Sequence, residues 1–170
     1  MGIELDLTDP RPKAPKPKGK VEPVKWSMAT MTADGYMCGL TEKWNPHAVA
    51  PGSGSPGIRQ DLFGFIDFLA VGDDRIIGVQ CCAHSGLGSH RTKMAIDRYT
   101  EVRTWLQDGR GEIQLHGWQR IEEATKQGTK YRTKYKRVGT VENIDMRDIE
   151  RVRDAYFLKM PPPLSEGNPF

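Results

Sequence analysis

The 170-residue chain is short of cysteine, of long apolar runs and of net charge, and each shortage removes a class of protein. Its three cysteines are an odd number, and Cys81 and Cys82 are neighbours whose side chains would leave opposite faces of a strand. That argues against a disulfide framework and for a reducing compartment. No apolar run approaches the ~20 residues of a membrane-spanning helix. The opening "MGIELDLTDP" lacks the basic start and apolar middle of a secretion signal. The expectation is a soluble, cytoplasmic protein with no membrane partner. A net charge of +3 does not by itself argue for nucleic acid, so the distribution of charge matters more than its sum. The glycine-rich "GSGSPG" lacks the Lys-Ser or Lys-Thr and the helix start of a phosphate-binding loop. Cys81, Cys82, His84 and His90 lie close together, but zinc sites separate paired cysteines so that both reach one ion, and adjacent strand cysteines cannot. No motif for a cysteine nucleophile surrounds them.

What is present suits one compact domain with polar tails: 37% hydrophobic and 28% charged residues. "RPKAPKPKGKVEPVK" is proline-rich and basic, an extended arm that either lies on phosphates or is solvated. "VKWSMATMTADGY" carries Val24, Met28 and Met31 at helical spacing with a glycine stop. "MCGLTEKWN" suits a strand, and "PHAVAPGSGSPGIRQD" reads as a mobile surface loop. "GFIDFLAVGDDRIIGVQCCA" is two apolar strands about a tight polar turn. "SHRTKMAIDRYTEVRTWLQDG" reads as one amphipathic helix, capped by Ser89, ended at Gly109, with Ala95, Tyr99, Val102 and Leu106 on one face. "GEIQLHGW" alternates Ile113 and Leu115 against Glu112, Gln114 and His116, as a strand does. The order predicts an α/β fold: a central mixed sheet of four to five strands flanked by helices.

Beyond residue 120 the chain turns basic and aromatic. "TKYRTKYKRVG" interleaves Lys130, Arg132, Lys134, Lys136 and Arg137 with Tyr131 and Tyr135, which suits phosphate contacts and ring stacking on DNA bases. An exposed hairpin whose lysines protect its edge is the other reading. "IDMRDIERVRDAYF" predicts a terminal helix with Ile149, Val152 and Tyr156 turned inward. The expected division is an arm at 1–23, a core at 24–120, a basic hairpin and helix at 121–160, and an irregular tail at 161–170.

"FIDFLAV", a turn, "IIGVQCCA", then a helix and a strand, resemble the PD-(D/E)XK nuclease superfamily, which includes archaeal-type Holliday junction resolvases and many restriction enzymes. "EKWNPHA", "RQDLFGFIDFLAV", "GVQ" and "HGW" look more closely like a group of phage and prophage proteins with this fold. The resemblance implies a metal-dependent deoxyribonuclease using Mg²⁺ or Mn²⁺. Its partner would be DNA, branched DNA included, and two symmetric cuts in a junction would call for a two-fold dimer. If phage-encoded, it would act in the host cytoplasm. The alternative is a nuclease-fold protein that has lost catalysis and serves as a DNA-binding or virion component.

The same resemblance implies site residues. Asp67 matches the family's aspartate and is the principal metal ligand, unless it merely caps a loop. Gln80 stands where a second acid is usual; its amide oxygen can coordinate without adding charge. The main-chain carbonyl of Cys81 would supply another oxygen. Glu42 and Asp61 are the nearest acids able to complete the charge, with Glu22 a more distant choice. Cys82 falls where the family has lysine, a poor substitute for a cation that stabilises developing negative charge. Lys93, or Arg91, in the following helix would supply that cation, unless both simply form a solvated helix face.

Overall fold

The computed structural model describes residues 22–41, 43–49, 56–109, 111–127 and 130–160, with only the backbone course at 44, 46–49, 56, 58, 59, 108, 124–127 and 130–134. The elements are α1 (Pro23–Ala33), β1 (Met37–Leu40), β2 (Lys43–Val49), β3 (Pro56–Gln60), β4 (Phe68–Val71) and β5 (Ile76–Ala83). After them come α2 (Leu87–Ile96), α3 (Tyr99–Leu106), β6 (Glu112–Gln127), β7 (Lys130–Ile144) and α4 (Met146–Phe157). Five strands form one sheet in the order β1-β4-β5-β6-β7, and β2 and β3 form a separate two-stranded sheet. Every pairing in the large sheet is antiparallel except β5 with β6, where parallel strands need the crossover that α2 and α3 provide. The mixed α/β sheet flanked by helices is the architecture expected from the element order.

Strand alternation divides the interior into two cores. Phe68, Ala70, Ile77, Val79 and Cys81 pack with Met31, Val24 and Met28 of α1. Phe65, Ile66, Cys82, Ile113 and Leu115 pack with Leu87, Met94, Ala95, Val102 and Ile149 of the other three helices. The adjacent cysteines therefore do face opposite layers, and all three cysteines are free thiols. The turn after β4 closes with Gly72 N–H donating to the Arg75 carbonyl at 3.0 Å.

Several elements differ from the sequence reading. The long amphipathic helix is two helices, broken at Asp97 and Arg98, where Arg98 leaves helical geometry with φ −126° and ψ 22°. The break sets the Arg98 side chain against Gly64, whose φ is +76° and where an added Cβ would lie 2.4 Å from Arg98 Nε. Ser89 does not cap the helix: α2 already begins at Leu87, and the Ser89 hydroxyl donates back to the Gly86 carbonyl. The single strand expected over residues 37–45 is β1 and the start of β2, and the expected loop from Pro46 to Asp61 contains the end of β2 and all of β3, with residues 50–55 outside the described set. Both strands are edges of a two-stranded sheet, where proline's missing N–H does least harm. The division at residue 120 falls inside β6, and Ile144 and Ile149 sit in the same core as Phe65 and Val102, so the C-terminal hairpin and helix share the main core. Asp145 and Asp148 form a capping box that starts α4, and Ile149 is buried, but Tyr156 is turned outward and 39% exposed. No helix among the described residues is long and apolar enough to cross a membrane.

Candidate functional site

Asp67 sits one residue before β4 and its backbone is held from both sides. Its N–H donates to the Val79 carbonyl at 2.9 Å, and its carbonyl accepts from Thr41 N–H at 3.1 Å. The Thr41 hydroxyl also donates to the Ile66 carbonyl at 2.9 Å. A carboxylate that is only 7% exposed needs donors. Asp67 has them: Oδ2 accepts from Gln80 Nε2 at 2.8 Å and from Cys81 N–H at 2.6 Å. Gln80 is 3% exposed, and with its nitrogen turned to Asp67 its Oε1 is buried with no hydrogen-bond partner among the described residues. The reverse amide orientation would set an oxygen against the carboxylate, so the assignment follows from Asp67. In a strand the N–H and C=O of one residue point to the same edge, so the Cys81 carbonyl also lies on the β4 side.

α2 covers this face of β5 and brings cations to it. Lys93 Nζ lies 3.5 Å from Asp61 Oδ2, which precedes the turn into Phe65. Arg91 pairs with Glu142 of β7: Nη2 donates to Oε1 at 3.2 Å, and Nε lies 3.1 Å from Oε2 as an ion-pair contact without hydrogen-bond geometry. His90 Nδ1 is buried without a partner, and burial, with Lys93 nearby, lowers its pKa below the usual histidine value despite Asp61. Cys82 lies beneath, against Gly86. Burial first, then Asp67 and Glu142, push its thiol up to about 11, with Arg91 opposing. It is a protonated, packed side chain at neutral pH and no substitute for an ammonium group.

The sites expected from sequence are therefore partly assembled. Asp67, Gln80 and the Cys81 backbone meet in one corner, while Asp61 and Lys93 meet each other as an ion pair on the covering helix. Glu42 lies outside the described residues, as do the side chains of Lys130, Tyr131, Arg132 and Lys134. Glu22 is occupied at 3.6 Å by Lys25 at the start of α1. In β7 the register puts positions 130, 132, 134 and 136 in one strand phase and 131, 135 and 137 in the other. Tyr135 therefore shares its strand phase with the basic Arg137, while Lys136 takes the other. Lys136 is exposed beside Glu123 at 3.9 Å. Arg137 stacks on Trp26 with its guanidinium 4.8 Å from the ring centre, and Arg120 does the same over Tyr135 at 4.5 Å.

Some of the site went unseen in the sequence. Glu142, Thr41 and the α1-face group of Ser27, His116 and Trp118 carry no local motif. Trp118 Nε1 donates to Ser27 Oγ at 2.8 Å, and Ser27 bonds the Cys81 thiol, which burial raises far above its ordinary value. His116, expected on a polar strand face, is 1% exposed because α1 covers that face too, and burial lowers it to about 4. Cavities of about 420 and 410 Å³ open beside Phe63 and Trp105 and beside Trp26 and Arg137, and neither is lined by Asp67 or Gln80.

No group of three His, Cys, Asp or Glu side chains placed to share a metal ion occurs among the described residues. Hard cations also take amide and main-chain oxygens, and the Asp67 corner offers those: one carboxylate, the unpartnered Gln80 Oε1 and the Cys81 carbonyl. Oxygen donors of this kind suit Mg²⁺ or Mn²⁺ and do not suit zinc, which prefers nitrogen and sulfur. Fold and site together define an α/β protein with a buried Asp–Gln pair at the heart of a five-stranded mixed sheet. No family model, no curated protein and no solved structure matches the chain.

Proposed function

We propose that the chain is a divalent-cation-dependent DNA endonuclease of the PD-(D/E)XK type, acting in the cytoplasm on phosphodiester bonds of branched DNA such as a Holliday junction. The observation that carries the reading is Gln80: a 3%-exposed amide whose nitrogen is spent on Asp67 and whose oxygen has no partner among the described residues. A buried acceptor left empty is costly unless something else fills it. When bound there, a divalent ion would polarise the phosphate and lower the pKa of an attacking water. The protein's own part is to hold Asp67 fixed through Thr41 and Val79, to exclude bulk water with α2, and to offer Lys93 to charge developing on the phosphate. Asp61 keeps the Lys93 ammonium oriented.

A catalytically silent DNA-binding protein of the same fold is the second reading. It is favoured by the completeness of the Asp67 network, whose Oδ2 already has two N–H donors, and by the absence of a second carboxylate in that corner among the described residues.

The Gln80→Glu variant separates the two. Without metal, a carboxylate at position 80 would face Asp67 across a 2.8 Å contact and lower the melting temperature. With Mn²⁺ the nuclease reading expects a larger rise in melting temperature than for the parent, and calorimetric Mn²⁺ binding that tightens. Cleavage of four-way, flap and duplex DNA by the parent with Mg²⁺ or Mn²⁺ completes the test. No metal-induced stabilisation of either protein, with no cleavage of any shape, would sink the nuclease reading and leave the silent one.

A further inference from the structure

The Arg91–Glu142 pair is not explained by anything in the Asp67 corner. It joins α2 to β7 by one hydrogen bond, Nη2 to Oε1 at 3.2 Å, with Nε buried 3.1 Å from Oε2, yet the two side chains remain 40% and 28% exposed, which leaves a ligand an approach from the Nη side. Its position is set by the sheet register. Gln80 pairs with Leu115 on β6, and Leu115 pairs with Glu142 on β7, so Gln80 and Glu142 lie in one lateral row on the face that α2 covers. Two strand spacings of ~4.8 Å separate them. Along β7 the same strand phase continues to Thr140, whose hydroxyl meets His84 Nδ1 at 3.2 Å, and then to exposed Lys136. A guanidinium fork binds carboxylate and phosphate with the same geometry, so one can replace the other.

We propose that Arg91 is a phosphate-binding residue for a DNA strand crossing beside the Asp67–Gln80 corner, and that Glu142 occupies its fork until a phosphodiester displaces it. This rests on the nucleic-acid reading above and adds a contact that the reading does not contain. Glu142 acts as a competitor: it holds Arg91 in position in the free protein and must release it on binding, so it weakens association with any weakly charged ligand and selects for a dense phosphate array.

The test measures binding of a fluorescent four-way junction and a duplex, in Ca²⁺ to bar cleavage, across a series of NaCl concentrations. The proteins are the parent, Glu142→Gln, Arg91→Ala, Arg91→Lys and the Glu142→Gln/Arg91→Ala double variant, each checked for folding by thermal melting. Expected are roughly 5–10-fold tighter binding for Glu142→Gln and comparably weaker binding for Arg91→Ala, with the salt slope falling by about one ion for the latter. Arg91→Lys, which keeps the charge and loses the fork, should fall between. The double variant should match Arg91→Ala alone, because Glu142 has nothing left to occupy. A parent that binds DNA while Glu142→Gln binds no better would overturn this proposal and leave the nuclease reading standing. So would a double variant tighter than Arg91→Ala, since Glu142 would then act by general repulsion. Failure of the parent and of Glu142→Gln alike to bind DNA of either shape would overturn both proposals.

Discussion

Replacing Asp67 with alanine removes the acceptor of two buried donors at once. Gln80 Nε2 and Cys81 N–H, now 2.8 and 2.6 Å from Asp67 Oδ2, would have no carboxylate and little access to water, because Gln80 is 3% exposed. An unpaired buried donor costs about 1–3 kcal/mol, so two give about 2–6 kcal/mol. The whole stability of such a domain is about 5–15 kcal/mol. Asp67→Ala is therefore expected to be destabilised on that scale, and loss of cleavage in it would mix chemistry with unfolding. Asp67→Asn keeps an oxygen for Cys81 N–H and should lose only about 1–2 kcal/mol, while still removing the charge a divalent ion needs. Urea unfolding of parent, Asp67→Ala and Asp67→Asn in metal-free buffer, followed by cleavage assays at a temperature where Asp67→Asn is fully folded, measures both effects. An Asp67→Ala protein as stable as the parent would show that the two donors find other partners, and the reasoning would fail.

Burial holds His116 neutral down to about 4, whereas in the unfolded chain it protonates near 6.5. Stability present above pH 6.5 should then be lost as pH falls towards 4, by about 3 kcal/mol relative to His116→Gln; parallel unfolding curves for the two proteins between those pH values would refute this. Cys82, with its thiol pushed up to about 11, should resist alkylation by iodoacetamide at pH 8 in the folded protein, and Cys82→Ala should leave cleavage nearly unchanged at about 1 kcal/mol of stability lost. Lys93→Ala should slow cleavage by ~100-fold or more if its ammonium serves the phosphate, and rates equal to the parent's would remove Lys93 from the site. Neutralising Lys130, Arg132, Lys134 and Lys136 together should weaken DNA affinity and flatten its salt dependence by up to ~3–4 ions, and an unchanged slope would leave that strand phase as a solvated edge.

The sheet was legible because its strands carry dense β-branched and aromatic runs about a polar turn, and because a strand's period of two is easily read. The turn at Gly72 to Arg75 and the inward set Val24, Met28 and Met31 follow from local spacing alone. The break at Arg98 was not legible, since Tyr99 and Val102 continue the apolar spacing of Ala95 across it, and the Arg98 side chain's neighbour there, Gly64, is 34 residues away. His116 looked polar-facing for a similar reason: alternation tells which residues share a face, and only the packing of α1 tells that both faces are covered. Of the site, Asp67 and Gln80 could be placed from their strands, but Glu142 could not. Its position beside Arg91 depends on the register of a 15-residue strand across β6, which no short motif records.

On the nuclease reading proposed above, the two departures from an acid–acid–lysine pattern compensate each other in charge. An acid, a second acid and a lysine carry a net −1, and so do Asp67, Gln80 and Cys82. Replacing lysine alone would have left two buried carboxylates facing each other without a cation, and replacing the acid alone would have left a buried ammonium short of partners; both are strongly unfavourable. Changing both keeps the buried strand pair neutral apart from Asp67, and lets a single carboxylate be satisfied by an amide and a backbone N–H. Asp61 and Lys93 form an ion pair nearer the surface, where side-chain exposures of 20% and 35% make it cheaper to keep. The pair is neutral, so the site with Asp67 stays at net −1 while offering an ammonium that a phosphate can approach. A working site built this way must lose activity when either Asp61 or Lys93 is neutralised, whereas a mere surface pair would not. Asp61→Asn and Lys93→Met, assayed singly and together, decide it: equal loss in all three variants marks one functional unit, and three active proteins would return the pair to the surface.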